Sequence, residues 1–139
     1  MAWDVFRPLP LADGAADAVL NVFAPRNPAE FHRMPRPTGR LIVVRPTGRH
    51  LAELRGRLPA MVTTDPAKEP RLYRALDPFF EAAVTEQVEY SATLSEPDAL
   101  DLVTMTPSAR HVSRADLSDG RFLPDQVTVS VLATAYQPR

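Results

Sequence analysis

The chain has 139 residues, 45% of them apolar, and a formal charge of −1, enough length and hydrophobic content for one domain with a real core. It contains no cysteine, which excludes disulfides and thiolate metal sites. No apolar stretch reaches the roughly 18 residues a membrane span needs, and Asp4 and Arg7 interrupt any signal-like N-terminus, so a single soluble cytoplasmic domain over residues 1–139 is expected.

From Leu9 to Leu54 the pattern is strand, helix, strand, helix, the middle of a doubly wound α/β domain without the Gly-rich turn that opens one. Asp17 to Ala24 (DAVLNVFA) is an apolar run rich in β-branched and aromatic residues, ended by Pro25, as in a strand covered on both faces. Asn27-Pro28-Ala29-Glu30 predicts a helix start, with Asn27 as cap, Pro28 at the first helical position and Glu30 closing a capping box. Phe31 and Met34 supply its inward face, Pro35 and Pro37 end it, and Thr38-Gly39 turn the chain. Arg40 to Val44 (RLIVV) is the next strand, and Leu51, Leu54 and Leu58 mark an amphipathic helix after the Pro46-Thr47-Gly48 turn. Strand, helix, strand at this length predicts a parallel pair with a right-handed crossover.

The second half is less regular. Thr64 to Glu69 is polar and predicts a loop, and the following segment a short helix with Leu72, Leu76 and Phe79 or Phe80 inward. Ala82 to Leu94 predicts a strand packed through Val84, Val88 and Tyr90. Ser95-Glu96-Pro97-Asp98 predicts a second capped helix with Leu100, Val103 and Met105 on its apolar side. Asp119-Gly120 marks a turn, and Val127 to Tyr136 the last strand, with Val127, Val129, Val131, Ala133 and Ala135 on one face.

Charge is unevenly distributed. Seven arginines (33, 36, 40, 45, 49, 55 and 57) face one acid, Glu53, between Arg33 and Arg57, so this window carries +6 and the rest of the chain −7. Such a window suits a phosphate backbone, but 15 Arg against one Lys, with 15 Pro, also fits the compositional bias of a GC-rich coding sequence. Both readings stand on composition alone.

Chemistry-bearing motifs are sparse. His32, His50 and His111 lie too far apart for a helical metal pair, and no Gly-x-Ser-x-Gly elbow exists for a hydrolase triad. Glycines 14, 39, 48, 56 and 120 never fall in Gly-x-Gly spacing. Asn21, a polar residue inside an apolar strand, needs either a hydrogen-bond partner or a cofactor or substrate to face.

The segments Asp4 to Leu11 (DVFRPLPL), Asp17 to Pro25, Arg40 to Val44, Pro46 to Leu51 (PTGRHL), Met105-Thr106-Pro107 and Val127 to Tyr136 together resemble class I AdoMet-dependent methyltransferases. More narrowly the chain is similar to the 23S rRNA (guanine-N1)-methyltransferases, including their macrolide-resistance type. The resemblance implies an α/β fold, an incomplete Rossmann-like sheet made of the C-terminal strands with an antiparallel last strand paired between the fifth and sixth. It places Asp4 at the end of the third strand near the adenine of S-adenosyl-L-methionine, with Val5 beside it. Asn21, Phe23 and Pro25 would line the donor pocket after the fourth strand. Arg26, Arg45, Arg49 and His50 would face 23S rRNA. The zinc-binding cysteine module, first strand, glycine-rich donor loop and acidic ribose contact of that family would all lie before Met1, so the chain is expected to be a C-terminal half, inactive alone. The alternative is a non-catalytic module that binds RNA or a partner. The free edge of the fourth strand predicts a homodimer or other oligomer.

Overall fold

The computed structural model describes residues 2–58, 67–106 and 123–139. In chain order the elements are β1 (Ala16–Val22), α1 (Pro28–Arg33), β2 (Pro35–Pro46), α2 (Ala52–Arg57), α3 (Lys68–Leu76), β3 (Phe80–Thr93), α4 (Glu96–Met105) and β4 (Gln126–Pro138). The four strands form one sheet in the order β1-β2-β4-β3. β1 and β2 are parallel, β2 and β4 antiparallel. The expected mixed α/β sheet is therefore present, with the last strand between β2 and β3 and antiparallel to β2. No helix among the described residues is long and apolar enough to cross a membrane.

Two compact units make up the chain. The first comprises Met1–Pro46, Pro66–Gln87 and Val131–Arg139, and the second Thr47–Asp65 and Val88–Ser130. Phe31, Met34, Leu41, Val43, Leu72, Leu76, Phe80 and Tyr136 form the core of the first. Leu51, Leu54, Leu58, Val103 and Val127 form that of the second. The leucines at spacings of three and four thus bury one face of α2 as its periodicity predicts.

Local rules account for most boundaries. Asn27 Oδ1 accepts the Glu30 N–H (3.4 Å) and Pro28 opens α1, as expected. The Glu30 carboxylate does not close the capping box. It accepts the Leu9 N–H (2.7 Å) and pairs with Arg33, charged and main-chain donors that outcompete the Asn27 amide. Arg33 in turn donates to the carbonyls of Leu9 (3.1 Å) and Leu11 (2.7 Å) and meets Asp13 (2.7 Å), fastening residues 9–13 to α1. Ser95 and Asp98 do form a reciprocal capping box at the start of α4.

β2 starts earlier than its apolar run because the ladder with β1 is irregular: Ala16 faces Pro35, yet Ala18 faces Arg40. Gly39 sits in that irregularity, where an added Cβ would lie 2.9 Å from the Arg36 carbonyl oxygen and 3.0 Å from that of Asp17. Only glycine permits this approach.

Several expectations are corrected. α3 begins at Lys68, one residue inside the predicted loop and one before the predicted helical segment that starts at Glu69. Val84, Val88 and Tyr90 are exposed, because β3 is an outer strand of the sheet. Met105 ends α4 and is exposed too. In β4 the buried residues are Val127, Ser130, Thr134 and Tyr136, not the whole odd-numbered apolar row. Hydrogen bonds allow this burial: Ser130 Oγ meets Thr47 Oγ1 (2.6 Å), and Thr134 Oγ1 meets Thr85 Oγ1 (2.9 Å). His111, Pro107, the Asp119-Gly120 turn and residues 64–66 of the predicted 64–69 loop lie outside the described residues.

Candidate functional site

Ligands of parallel α/β sheets sit beyond the carboxyl ends of the strands. The β1–β2 register pairs Asn21 with Val43 and Val22 with Val44, and the Phe23 N–H donates to the Val44 carbonyl (3.2 Å). The segment from Asn21 to Arg26 therefore leaves β1 beside the end of β2, where Arg45 lies.

Asn21 is 3% exposed. Its Nδ2 donates to the Pro25 carbonyl (2.9 Å), which ties the turn together, while Oδ1 has no partner among the described residues. The amide is satisfied as a donor and open as an acceptor, and a buried unpaired acceptor costs about 1–3 kcal/mol. Phe23 follows at φ +49°, in the left-handed region that costs a non-glycine residue about 1–2 kcal/mol, and its ring is exposed.

Asp4 does not end a strand. Residues 2–15 contain none, and the Asp4 carboxylate instead accepts the Phe6 N–H (3.0 Å) and lies 3.8 Å from Arg7 in an exposed turn. Val5 is held close to the site all the same, its carbonyl accepting from Asn27 Nδ2 (3.1 Å).

Arg45 is the centre of the polar network in this unit. Its side chain is 10% exposed. It donates to Glu69 Oε1 (2.6 Å), the Tyr73 hydroxyl (3.1 Å) and Thr134 Oγ1 (3.1 Å), with the Tyr73 ring centroid 5.6 Å from its Cζ. Burial alone would lower its pKa, but the bond to Glu69 and the neighbouring acid and phenols outweigh that and raise it. Arg26 is shifted the other way, by burial first and by the charge of Arg45 second. Tyr136 is 2% exposed with its hydroxyl unpartnered, and burial pushes its pKa up. Sequence reasoning missed Glu69, Tyr73, Thr134 and Tyr136. The available signal was the polar row Ser130, Thr134, Tyr136 along β4, which alternates with the apolar row chosen instead.

Arg49 and His50 belong to the second unit. Arg49 meets Glu89 (3.3 Å), and His50 Nδ1 accepts the Ser130 N–H (3.2 Å), which leaves the ring proton on Nε2. Burial, then the charge of Arg55, holds His50 below its ordinary pKa, so it is neutral near pH 7. Glu53 anchors the same unit by accepting both the N–H (2.8 Å) and the hydroxyl (2.5 Å) of Thr128. Among the described residues no group of three acids or histidines is placed to hold a metal ion.

No family model matches the chain. It is 41% identical over 138 residues to a candidate 23S rRNA (guanine-N(1)-)-methyltransferase of Micromonospora griseorubida, an alignment covering 97% of this chain and 46% of that protein. It is 43% identical over 138 residues to the 23S rRNA (guanine(748)-N(1))-methyltransferase of Streptomyces fradiae, covering 97% of this chain and 49% of that protein. Among solved structures it is similar to the MccD protein (TM-score 0.50, 12% identity, 94% of this chain and 64% of that one), a likeness of fold. The chain spans about half the length of the curated relatives it matches. By that sequence likeness and this mixed α/β sheet, the chain belongs to the family of the 23S rRNA (guanine-N1)-methyltransferases, within the Rossmann-like class I AdoMet-dependent methyltransferases.

Proposed function

We propose that the chain supplies the substrate-facing portion of an AdoMet-dependent methyltransferase acting on guanine N1 of 23S rRNA, and that these 139 residues alone hold RNA without transferring a methyl group. The observation that carries this is the identity of 41–43% over 97% of the chain with relatives named for that activity. AdoMet, when bound, supplies an electrophilic methyl group. The residues present fit one wall of its site: Asn21 Oδ1 is a buried acceptor for an N–H, and the exposed Phe23 ring offers a face for a planar group. The opposite wall is not matched, since no Gly-x-Gly turn occurs in the chain and Asp4 is turned to Phe6 and Arg7.

Methylation at guanine N1 requires the nitrogen to lose its proton and to stand in line with the donor methyl, so positioning dominates the chemistry. Asn21 would orient an N–H group at the end of β1. Arg26 and Arg45 would hold the RNA backbone in the first unit. In the second unit, taken by itself, Arg49 would face RNA. His50, being neutral, would contribute hydrogen bonding rather than charge.

The edge of β1 supports self-association. β1 is an outer strand of the described sheet, and Leu20 (67% exposed), Val22 and Phe23 present apolar surface beside an edge that no other described strand covers. A second copy pairing along that edge would cover both.

Calorimetric titration with AdoMet, alongside transfer of labelled methyl to a 23S rRNA hairpin, tests the proposal. The expectation is RNA binding that weakens steeply with salt, with no methyl transfer. Micromolar AdoMet affinity with turnover would refute the claim of inactivity, and absence of RNA binding would refute the claim of substrate contact.

A further inference from the structure

Around Arg45 the positive charge exceeds the negative. The Arg45 guanidinium is matched by one half-exposed carboxylate, Glu69. Arg26 has no carboxylate partner among the described residues, and its partly buried guanidinium is close enough to Arg45 to be destabilised by it. Two like charges held together in partly dry surroundings are costly unless a counter-charge joins them.

The unsatisfied atoms agree in kind. Arg26 Nε–H and the Tyr136 hydroxyl are both buried, and neither has a hydrogen-bond partner among the described residues. Leu41 faces Tyr136 and Val43 faces Thr134 in the β2–β4 ladder, so Arg45, Thr134 and Tyr136 share one face of the sheet. Asn21 pairs with Val43 and its Nδ2 donates to the Pro25 carbonyl, so Arg26 follows a turn anchored beside that face, and the charges of Arg45 and Arg26 both act on Tyr136. Tyr73 and Tyr136 also line an open cleft of about 350 Å³, so the Tyr136 end of this group borders a cavity. A cation is repelled by two arginines. A neutral polar group would satisfy the donors but leave the surplus charge. A tetrahedral oxyanion does both, because its several oxygens accept from donors arriving in different directions.

We propose that Arg26, Arg45 and Tyr136 form a binding site for a phosphate-type oxyanion, with Thr134 and Tyr73 positioning Arg45. Glu69 is the internal carboxylate that balances Arg45 when the site is empty of phosphate. The source of the oxyanion is either a free phosphate or a phosphodiester of RNA, and only the second source rests on the proposed function.

The test uses the whole 139-residue chain, titrated with inorganic phosphate at constant ionic strength set by chloride. The Arg26 Nε–H is followed by ¹⁵N-edited NMR, together with the backbone amides of β4. The expected result is a saturable downfield movement of the Arg26 Nε–H, as a donor without a partner gains one. Affinity should fall about tenfold in Tyr136→Phe, the equivalent of one lost hydrogen bond, and at least as much in Arg26→Gln, read at the β4 amides. A response linear in phosphate, or equal affinity in wild type and both variants, overturns the site. A short single-stranded RNA oligomer forms the second arm. Displacement of phosphate by the oligomer supports RNA as the source. Phosphate binding without displacement leaves the site standing and counts against the RNA reading. RNA binding with an unmoved Arg26 signal overturns the site and leaves that reading intact.

Discussion

Replacing Tyr136 by Phe removes one atom from a core position and gives a prediction whose sign is unusual. A buried tyrosine hydroxyl normally bonds to something, and its loss normally destabilises. Here the hydroxyl is buried and unpartnered in a residue 2% exposed. Its retention costs about 1–3 kcal/mol, the penalty of an unsatisfied buried polar group. The ring itself is needed: it packs edge-on to Phe80 with centroids 6.4 Å apart, and phenylalanine keeps that contact. In phosphate-free buffer, Tyr136→Phe should therefore be neutral or more stable by about 1 kcal/mol, raising Tm by ~4 °C for a chain of this size. Thermal and urea unfolding followed by circular dichroism, with m unchanged, would read it. A fall in Tm of similar size would show that the hydroxyl is bonded in the free protein. The donor surplus beside Arg45 would then lose one of its two orphan atoms.

Other consequences can be checked in the same way. Gly39→Ala should cost about 1–3 kcal/mol in urea unfolding, because the new methyl meets two backbone oxygens that belong to the β1–β2 ladder. Ser95→Ala removes the cap of α4 and should cost about 1 kcal/mol, while Ser95→Asn should cost a fraction of that. His50 lies below its ordinary pKa of 6.5 when folded, so the unfolded chain binds the proton more readily. Its stabilising contribution is complete above pH 6.5 and is lost as pH falls through the folded value, and His50→Gln should flatten that slope in stability curves against pH. Leu20→Lys places a charge on the exposed edge of β1 and should convert self-associating protein to monomer in light scattering; an unchanged mass would place the contact elsewhere.

How far the sequence reaches depends on what each residue answers to. β1, α1, β2 and α2 were legible because Asn27, Pro28 and the leucine spacing of 51, 54 and 58 obey local rules that tertiary structure only has to accept. The outward position of Val84, Val88 and Tyr90 was not legible, since no local rule says which strand will lie at a sheet edge. In β4 the apolar alternation pointed to one row, while burial also took Ser130 and Thr134, whose hydroxyls have partners supplied from far along the chain. The candidate site divides in the same manner. Asn21 announced itself as a polar residue in an apolar strand. Tyr136 did not, because its meaning depends on Arg26 and Arg45, which only folding brings near it.

The Glu30–Arg33 pair has a consequence for how the molecule opens. Leu9 gives its N–H to Glu30, while Gly14 and Ala16 give theirs to the carbonyls of Arg33 and Met34. Two amides ahead of β1 and that of its first residue are thus hung on a helix of six residues and its C-cap. Their exchange with solvent deuterium should follow the fraying of α1, faster than that of Leu41 or Val43 in the middle of the sheet. The entrance to β1 is a unit of opening of its own, released by the unwinding of one short helix while the β2–β4 ladder stays closed.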